Sequence, residues 1–314
     1  MKRNIFNNIL RLLLILPLTI GLEGCFTGVE GTKTITLSKK DISMVAPTEE
    51  ELYLSEITGS PLSDWKKGKE FVVADNKVNY LLEQRLNIPI ENGDTLIYSH
   101  TDVKVTPDGK NKYVIVFNRG EQQIRYPVDK KSDITENSIF SNDLPMLIDL
   151  DLVEDIGKKL LHKRFWTRNS FRYGPDSKYI KGKKFVPVEI VGVEAGDAFF
   201  PIKIELKECD GSNTFLMMNS GSTENETRSF AKLFMLHDPR KDYKGIQEEI
   251  WLAIQDSDVR IGMTKEECRL SLGNPSDTKV GRDYSRQYEI WSYPDGSTVR
   301  FVDDIVIDFR KIKQ

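Results

Sequence analysis

Between Lys163 and Tyr173 the chain gathers four aromatic residues, Phe165, Trp166, Phe171 and Tyr173, among Lys163, Arg164, Arg168 and Arg172. Flat rings beside guanidinium groups can stack on a sugar ring, or hold a lipid headgroup by charge and cation–π attraction. Phe165, Trp166, Arg168, Phe171, Arg172 and Tyr173 are therefore the candidate ligand-binding residues. The same run also fits a β-strand with core-facing rings and solvated arginines. Other reactive side chains are scattered. His100, His162 and His237 stand alone, with no second ligand at metal-binding spacing. The nucleophile-elbow and glycine-rich phosphate-loop patterns are missing. The pairs Glu248-Glu249, Glu266-Glu267 and Asp303-Asp304 are adjacent in sequence, as in caps and solvated turns rather than in paired acids across a cleft. No catalytic constellation emerges, so the expectation is a non-enzymatic binding or structural protein with neither cofactor nor metal.

The elements that would carry the cluster are mostly strands. Phe71-Val72-Val73, Thr95 to Tyr98, Asp102 to Val105 and Lys112 to Asn118 are β-branched or aromatic runs, bounded by turn clusters such as Pro107-Asp108-Gly109 and Asn118-Arg119-Gly120. Val78 to Leu86 fits a helical turn or a strand equally. A second stretch repeats this plan. Gly157 to Leu160 matches Gly68 to Phe71, and Phe185 to Val193 matches Leu96 to Val105. Pro201 to Leu206 with Thr214 to Met218 then matches Lys112 to Phe117 with Gln122 to Tyr126. The fold expected is β-rich, α+β in class, with two small SH3-like barrels or half-barrels over 48–144 and 145–246. One larger β-rich domain is the alternative. Besides Cys25 there are two cysteines, Cys209 and Cys268, which read as a disulfide or as two buried thiols.

Residues 247–314 read as a third unit. Thr264 followed by Glu267 is a capping box, Cys268 and Leu272 share a helical face, Gly273 is placed for a left-handed cap, and Pro275 blocks continuation. Strands follow at Tyr288 to Tyr293, Ser297 to Val302 and Ile305 to Phe309. Trp291 shares a face with Tyr293, Val299 with Phe301, and Ile305 with Ile307 and Phe309. Gly262-Met263-Thr264, Glu267, Leu272 to Ser276, Trp291-Ser292-Tyr293 and Phe301 to Asp304 resemble the SmpA/OmlA family, the small lipoprotein subunit of the outer-membrane β-barrel assembly machine. The resemblance spans about 60 residues and implies a helix packed on an antiparallel meander. That layout is also found in β-lactamase-inhibitor-like domains. Gly262, Thr264, Glu267, Gly273, Pro275, Trp291 and Tyr293 carry the motif. The family's members are small single-domain proteins, whereas this unit ends a longer chain, and Cys268 takes a position usually filled by a valine-like residue.

The N-terminus has a secretory layout. Lys2, Arg3 and Arg11 precede an apolar run from Leu12 to Leu22, broken by Pro17, Thr19 and Gly21. A membrane-spanning helix needs ~20 apolar residues, so residues 1–24 read as a cleaved signal peptide. Leu22, Gly24 and Cys25 resemble the lipobox of bacterial lipoproteins, with Glu23 departing from the pattern. The resemblance implies that Cys25 becomes an acylated first residue, and two or more acyl chains hold a protein stably on a membrane. Residues 25–47, rich in Thr, Ser, Gly and Lys, read as a tether with a reach of ~25 Å. Removing 1–24 moves the formal charge from −3 to −5, and an acidic body argues against nucleic acid as a partner. The expected location is the outer membrane, facing the periplasm. The expected role is an interaction or scaffold lipoprotein, accessory to envelope assembly and paired with an envelope protein. The alternative role is binding of glycan or peptidoglycan.

Overall fold

The computed structural model describes residues 46–107, 109–128, 134–220, 227–283 and 286–311. The signal peptide, Cys25 and the tether up to residue 45 lie outside the described residues. The fold is β-rich, with three antiparallel sheets and a few short helices. No described helix is long and apolar enough to cross a membrane.

After helix α1 (Glu49–Leu52), the first sheet is built from β1 (Glu70–Val73), β2 (Thr95–Val105), β3 (Asn111–Arg119), β4 (Gln122–Pro127) and β5 (Leu147–Asp149), in the order β4-β3-β2-β1-β5. Alternate residues turn inward, so Phe71, Leu96, Tyr98, Ile115, Phe117, Ile124 and Tyr126 form one core with Trp65. The two strands expected at 95–98 and 102–105 are one. The polar Ser99 to Thr101 looked like a break, but pairing passes from Tyr98↔Phe117 to His100↔Val116 and leaves Ser99 as the extra residue of a bulge. Val78 to Leu86, undecided from the sequence, begins as a 3₁₀ turn, Asn76–Tyr80.

Helix α2 (Leu150–Leu160) follows β5 directly, capped by Asp149, whose side chain accepts from the Asp151 amide. Leu152, Val153, Ile156 and Leu160 line one face and enter the second core. Burying such side chains is worth about 1.5–3 kcal/mol each, enough to fix the helix against the sheet. Here the expected repeat needs correction. Gly157 to Leu160 is helical, whereas Gly68 to Phe71 enters a strand, and Leu147 to Asp149 closes the first sheet rather than opening the second. That one match failed because α2 has no counterpart in the first sheet, whereas the later matches fall on strands in both stretches.

The second sheet comprises β6 (Arg164–Thr167), β7 (Phe171–Tyr173), β8 (Tyr179–Lys181), β9 (Pro187–Ala195), β10 (Ile202–Lys207), β11 (Asn213–Met218) and, after α3 (Phe230–Leu233), β12 (Phe234–Met235). Its order is β12-β6-β9-β10-β11-β7-β8. With the β7–β8 hairpin set aside, this is the strand order of the first sheet, and Phe165 takes the place of Phe71. The bulge recurs too: pairing jumps from Gly192↔Glu205 to Ile190↔Leu206, leaving Val191 over at the fifth position of β9, as Ser99 is in β2.

The third sheet, β13 (Asp277–Asp283), β14 (Arg286–Ser292), β15 (Thr298–Val302) and β16 (Ile305–Arg310), is a meander covered by α4 (Glu248–Gln255) and α5 (Lys265–Leu272). Trp251, Met263, Cys268, Trp291, Val299 and Phe301 fill its core. The capping box forms as expected: the Glu267 amide donates to Thr264 Oγ1 (3.2 Å), and the Thr264 amide donates to Glu267 Oε2 (2.7 Å). Two expectations change. Gly273 adopts φ +84°, ψ −167°, a glycine-only region rather than the left-handed cap. Ile305, Ile307 and Phe309 do not share a face. A bulge between Phe301↔Val306 and Arg300↔Asp308 leaves Ile307 unpaired, so Val306 points inward while Ile305 and Ile307 stay exposed.

Segment 183–185 joins the second sheet to the α4–α5 pair. The Lys184 amide donates to Gln255 O (2.9 Å), and its Nζ donates to the α5 carboxy-terminal carbonyls of Leu270 (3.0 Å) and Ser271 (2.5 Å). Burial, with Lys181 nearby, pulls the Lys184 pKa down to about 8. Phe185 stacks on Trp251 at 5.8 Å and takes φ +52°. A bulky residue pays roughly 1–2 kcal/mol for that conformation.

Candidate functional site

The cluster expected from the sequence is divided by strand alternation. Phe165 is in the second core. Trp166, half-buried on the opposite side of β6, pairs with Pro187 and Met235. Arg168 leaves the strand, donating from Nε to Phe234 O (3.2 Å) and lying 4.0 Å from Glu50. Arg172 is wholly buried, with Nε on Glu208 Oε1 (2.8 Å) and its remaining donors on the carbonyls of Asn169, Phe171 and Lys183. Gly182 makes room for it, since a Cβ there would lie 2.7 Å from Arg172 Cγ. Phe165 and Arg172 are thus structural, and the six residues do not form one platform.

Phe171 and Tyr173 remain, on the face of β7 opposite Arg172, and they join residues from four other segments. Tyr179 lies across the hairpin with its ring 5.2 Å from Phe171. Phe171 meets Tyr173 edge-on at 4.9 Å, and Tyr173 stacks on Phe215 of β11 at 5.1 Å. The Arg228 guanidinium covers Phe171 at 4.5 Å and Phe200 at 4.2 Å. Lys203 sits over Phe215 at 5.1 Å. Local structure fixes each part. The β9–β10 turn is held by Asp197, whose Oδ1 accepts from the amides of Phe199 and Phe200, both at 2.8 Å. Arg228 is tied by a reciprocal pair in which the Asn219 amide donates to Arg228 O (3.0 Å) and the Arg228 amide to Asn219 Oδ1 (3.2 Å). Two rings stand out into solvent, Tyr179 at 57% and Phe199 at 82% exposure.

The charge on this face is organised rather than merely basic. Lys203 bonds Glu194 (2.9 Å) and Glu205 (3.0 Å). Burial opposes its charge, but the two carboxylates outweigh it and raise its pKa above the ordinary lysine value. Arg228 Nη1 is shielded from solvent and has no acceptor among the described residues. The arrangement can stack and donate hydrogen bonds. Among the described residues it has no nucleophile paired with a base.

Other groups with chemical potential are engaged elsewhere. Ser141, Asp149 and Lys69 meet in the first unit: Lys69 Nζ lies 2.6 Å from Asp149 and 2.5 Å from Asp151, and Ser141 Oγ donates to Asp149. Ser141 is fully buried and accepts from the Ser60 amide, so it has no route to a substrate. Cys209 and Cys268 are both free. Cys268 is buried, and burial pushes its thiol up to about 11. Cys209, expected buried or paired, is exposed at a cleft of about 370 Å³ beside Arg164 and Glu189. Burial, then Glu208 and Asp210, raise its pKa and keep it a thiol. His100 lies 3.4 Å from Asp102, and His237 3.0 Å from Asp242. Among the described residues, no group of three His, Cys, Asp or Glu side chains is placed to hold a metal.

The C-terminal motif residues serve packing. Trp291 is buried against Phe301 at 4.6 Å with Arg269 over its ring, and Tyr293 OH donates to Gly273 O (3.4 Å). Gly262 takes φ +94°, and Pro275 is half-buried between α5 and β13.

Sequence reasoning missed Tyr179, Phe199, Phe200, Phe215 and Arg228. One signal was present: Phe199-Phe200 after Gly196-Asp197 puts two large rings in a turn, where a core residue has no reason to be. No family model matches the chain, and no curated protein or solved structure matches it.

Proposed function

We propose that the chain is a lipid-anchored envelope protein that recognises a partner and performs no reaction, acting as an interaction or scaffold module accessory to envelope assembly. One observation carries this reading. The β7–β8 hairpin presents the exposed Tyr179, Arg228 stacks on Phe171 and Phe200, and the β9–β10 turn presents the exposed Phe199, exposed rings of the kind that mark a contact surface. The lipobox resemblance at Leu22, Gly24 and Cys25 supports anchoring through Cys25, at the outer membrane facing the periplasm. The shared strand order of the first two sheets supports reading both as SH3-like modules. Two helices on a four-stranded meander support kinship of the last unit with the SmpA/OmlA family and with β-lactamase-inhibitor-like domains.

The test uses native, membrane-bound protein with a photo-reactive phenylalanine analogue at Phe199. A discrete crosslinked species is expected there and not with the analogue at a remote exposed position such as Tyr80. Equal crosslinking at both positions, or none at Phe199, removes the recognition reading. Intact-mass measurement is expected to find acyl chains on Cys25. A bare Cys25 removes the anchor.

A further inference from the structure

We infer that the open edge of β13 pairs with the same edge of a second copy of this chain, joining two third sheets into one about a two-fold axis at Val280. This edge belongs to a different sheet from Tyr179 and Phe199, so the inference stands apart from the recognition reading above. β13 ends its sheet, and its pairing runs unbroken from Asp277↔Ser292 to Asp283↔Arg286. Two residues separate Asp283 from Arg286, and the pair that closes such a turn exchanges both its backbone bonds. Alternation then turns the backbone groups of Gly281, Lys279 and Asp277 toward β14. Those of Thr278, Val280 and Arg282 point away from the sheet, and all three residues are exposed. The same count along β4, which also follows a two-residue turn, directs Arg125 outward. Its carbonyl accepts from the Glu83 amide, outside the sheet (3.1 Å).

The other sheet edges are shorter or already met. β4 carries Glu83 on Arg125 and ends in Pro127, which has no N–H. β5 and β12 are short and buried, and β8 has three residues. The start of β16 is met by Gly262 and Met263, both bonded to Val306. β13 is thus the longest open edge among the described residues, and a row of unpaired backbone groups is matched by another extended strand. Three features favour β13 of a second copy as that strand. An edge that meets itself about a two-fold axis pairs antiparallel, and centring on Val280 sets each outward residue opposite an outward residue, Val280 on Val280 and Thr278 on Arg282. Asp277, Lys279, Arg282 and Asp283 cancel in charge, so the two strands meet without net repulsion although the chain carries −3. A lysine ordinarily guards an edge against pairing, but Lys279 falls opposite Gly281 of the second copy, which has no side chain to oppose it.

The experiment uses the full chain in its native cells, with Cys209→Ser removing the exposed thiol, and copper phenanthroline as oxidant. Single substitutions Val280→Cys, Lys279→Cys, Arg282→Cys and, at a remote exposed position, Tyr80→Cys are compared. Opposed residues that exchange both bonds have Cα atoms about 5.5 Å apart, within reach of a disulfide. Val280→Cys is expected to form a disulfide-linked dimer at least tenfold faster than the other three. Adding Thr278→Glu, opposite Arg282, is expected to speed that reaction severalfold, and Thr278→Lys to slow it severalfold. Thr278 is exposed, so both variants are expected to keep the wild-type melting curve, which separates an altered contact from an altered fold. Crosslinking at Val280 no faster than at Tyr80, or equal effects of Thr278→Glu and Thr278→Lys, overturns the inference. A disulfide from Val280→Cys to a different protein removes the second copy as the occupant. Each of these results stands whatever the crosslink at Phe199 shows.

Discussion

Arg172 shows how much a single side chain's setting matters. Between Phe171 and Tyr173 it reads as a solvated cation on an aromatic strand, yet it is wholly buried and ends on Glu208, 36 residues away. Burial, partly offset by Glu208, lowers its pKa. Removing one member of a buried ion pair leaves the other uncompensated, at about 3–5 kcal/mol. Arg172→Ala is expected to lose stability of that order in urea denaturation, whereas Tyr179→Ala, at an exposed ring, is expected to stay within about 0.5 kcal/mol. The cysteines differ in the same way. Cys209 is expected to react with a maleimide in the native protein, and Cys268, buried with its thiol raised to about 11, only after unfolding. Mass shifts before and after denaturation check both. Neither contrast was legible in the sequence, because alternation assigns a residue to a face without telling which face is covered.

Elements announced themselves where their ends are local. Helix α5 was legible because Thr264, Glu267, Gly273 and Pro275 all lie within one short stretch, and β14 to β16 because Gly296 and the positive-φ pair Asp303-Asp304 mark tight turns. Strand β13 escaped notice. It is an edge strand of sequence Asp-Thr-Lys-Val-Gly-Arg-Asp with Val280 exposed, so no apolar alternation advertises it. The three bulges were equally silent, since an extra residue shows only against its partner strand. Two substitutions separate local from tertiary support. Thr264→Ala removes an exposed cap and is expected to cost about 1 kcal/mol. Asp149→Ala removes the α2 cap and one of the two carboxylates that hold the nearly buried Lys69 amine, with Asp151 left to pair it, and is expected to cost about 2–4 kcal/mol. Equal losses in thermal or urea unfolding would contradict this assignment.

Over the whole molecule the succession of three β-rich stretches was legible, because each is punctuated by its own turns. The joint between the second sheet and the helix pair was not, since Lys184 meets Leu270 across 86 residues of sequence. Its folded pKa of about 8 lies below the ordinary lysine value of 10.5. The folded chain therefore holds fewer protons than the unfolded chain between those values, and stability is expected to rise with pH through that window by at most about 3 kcal/mol. Lys184→Met is expected to flatten that rise, and urea midpoints at pH 8 and pH 10 measure it; an unchanged slope would exclude Lys184 as its source. The joint has a mechanical consequence as well. Only Gly182 and Lys183 separate the end of β8, which belongs to the aromatic hairpin, from Lys184 and Phe185, the residues plugged into α4 and α5. A pull on the hairpin is therefore carried along this short strap toward the C-terminal unit. The strap is also held to the second sheet, by Arg172 and Thr167 on Lys183 O and by the Phe185 amide on Thr167 O, so the second sheet and the last unit share any load that reaches the hairpin.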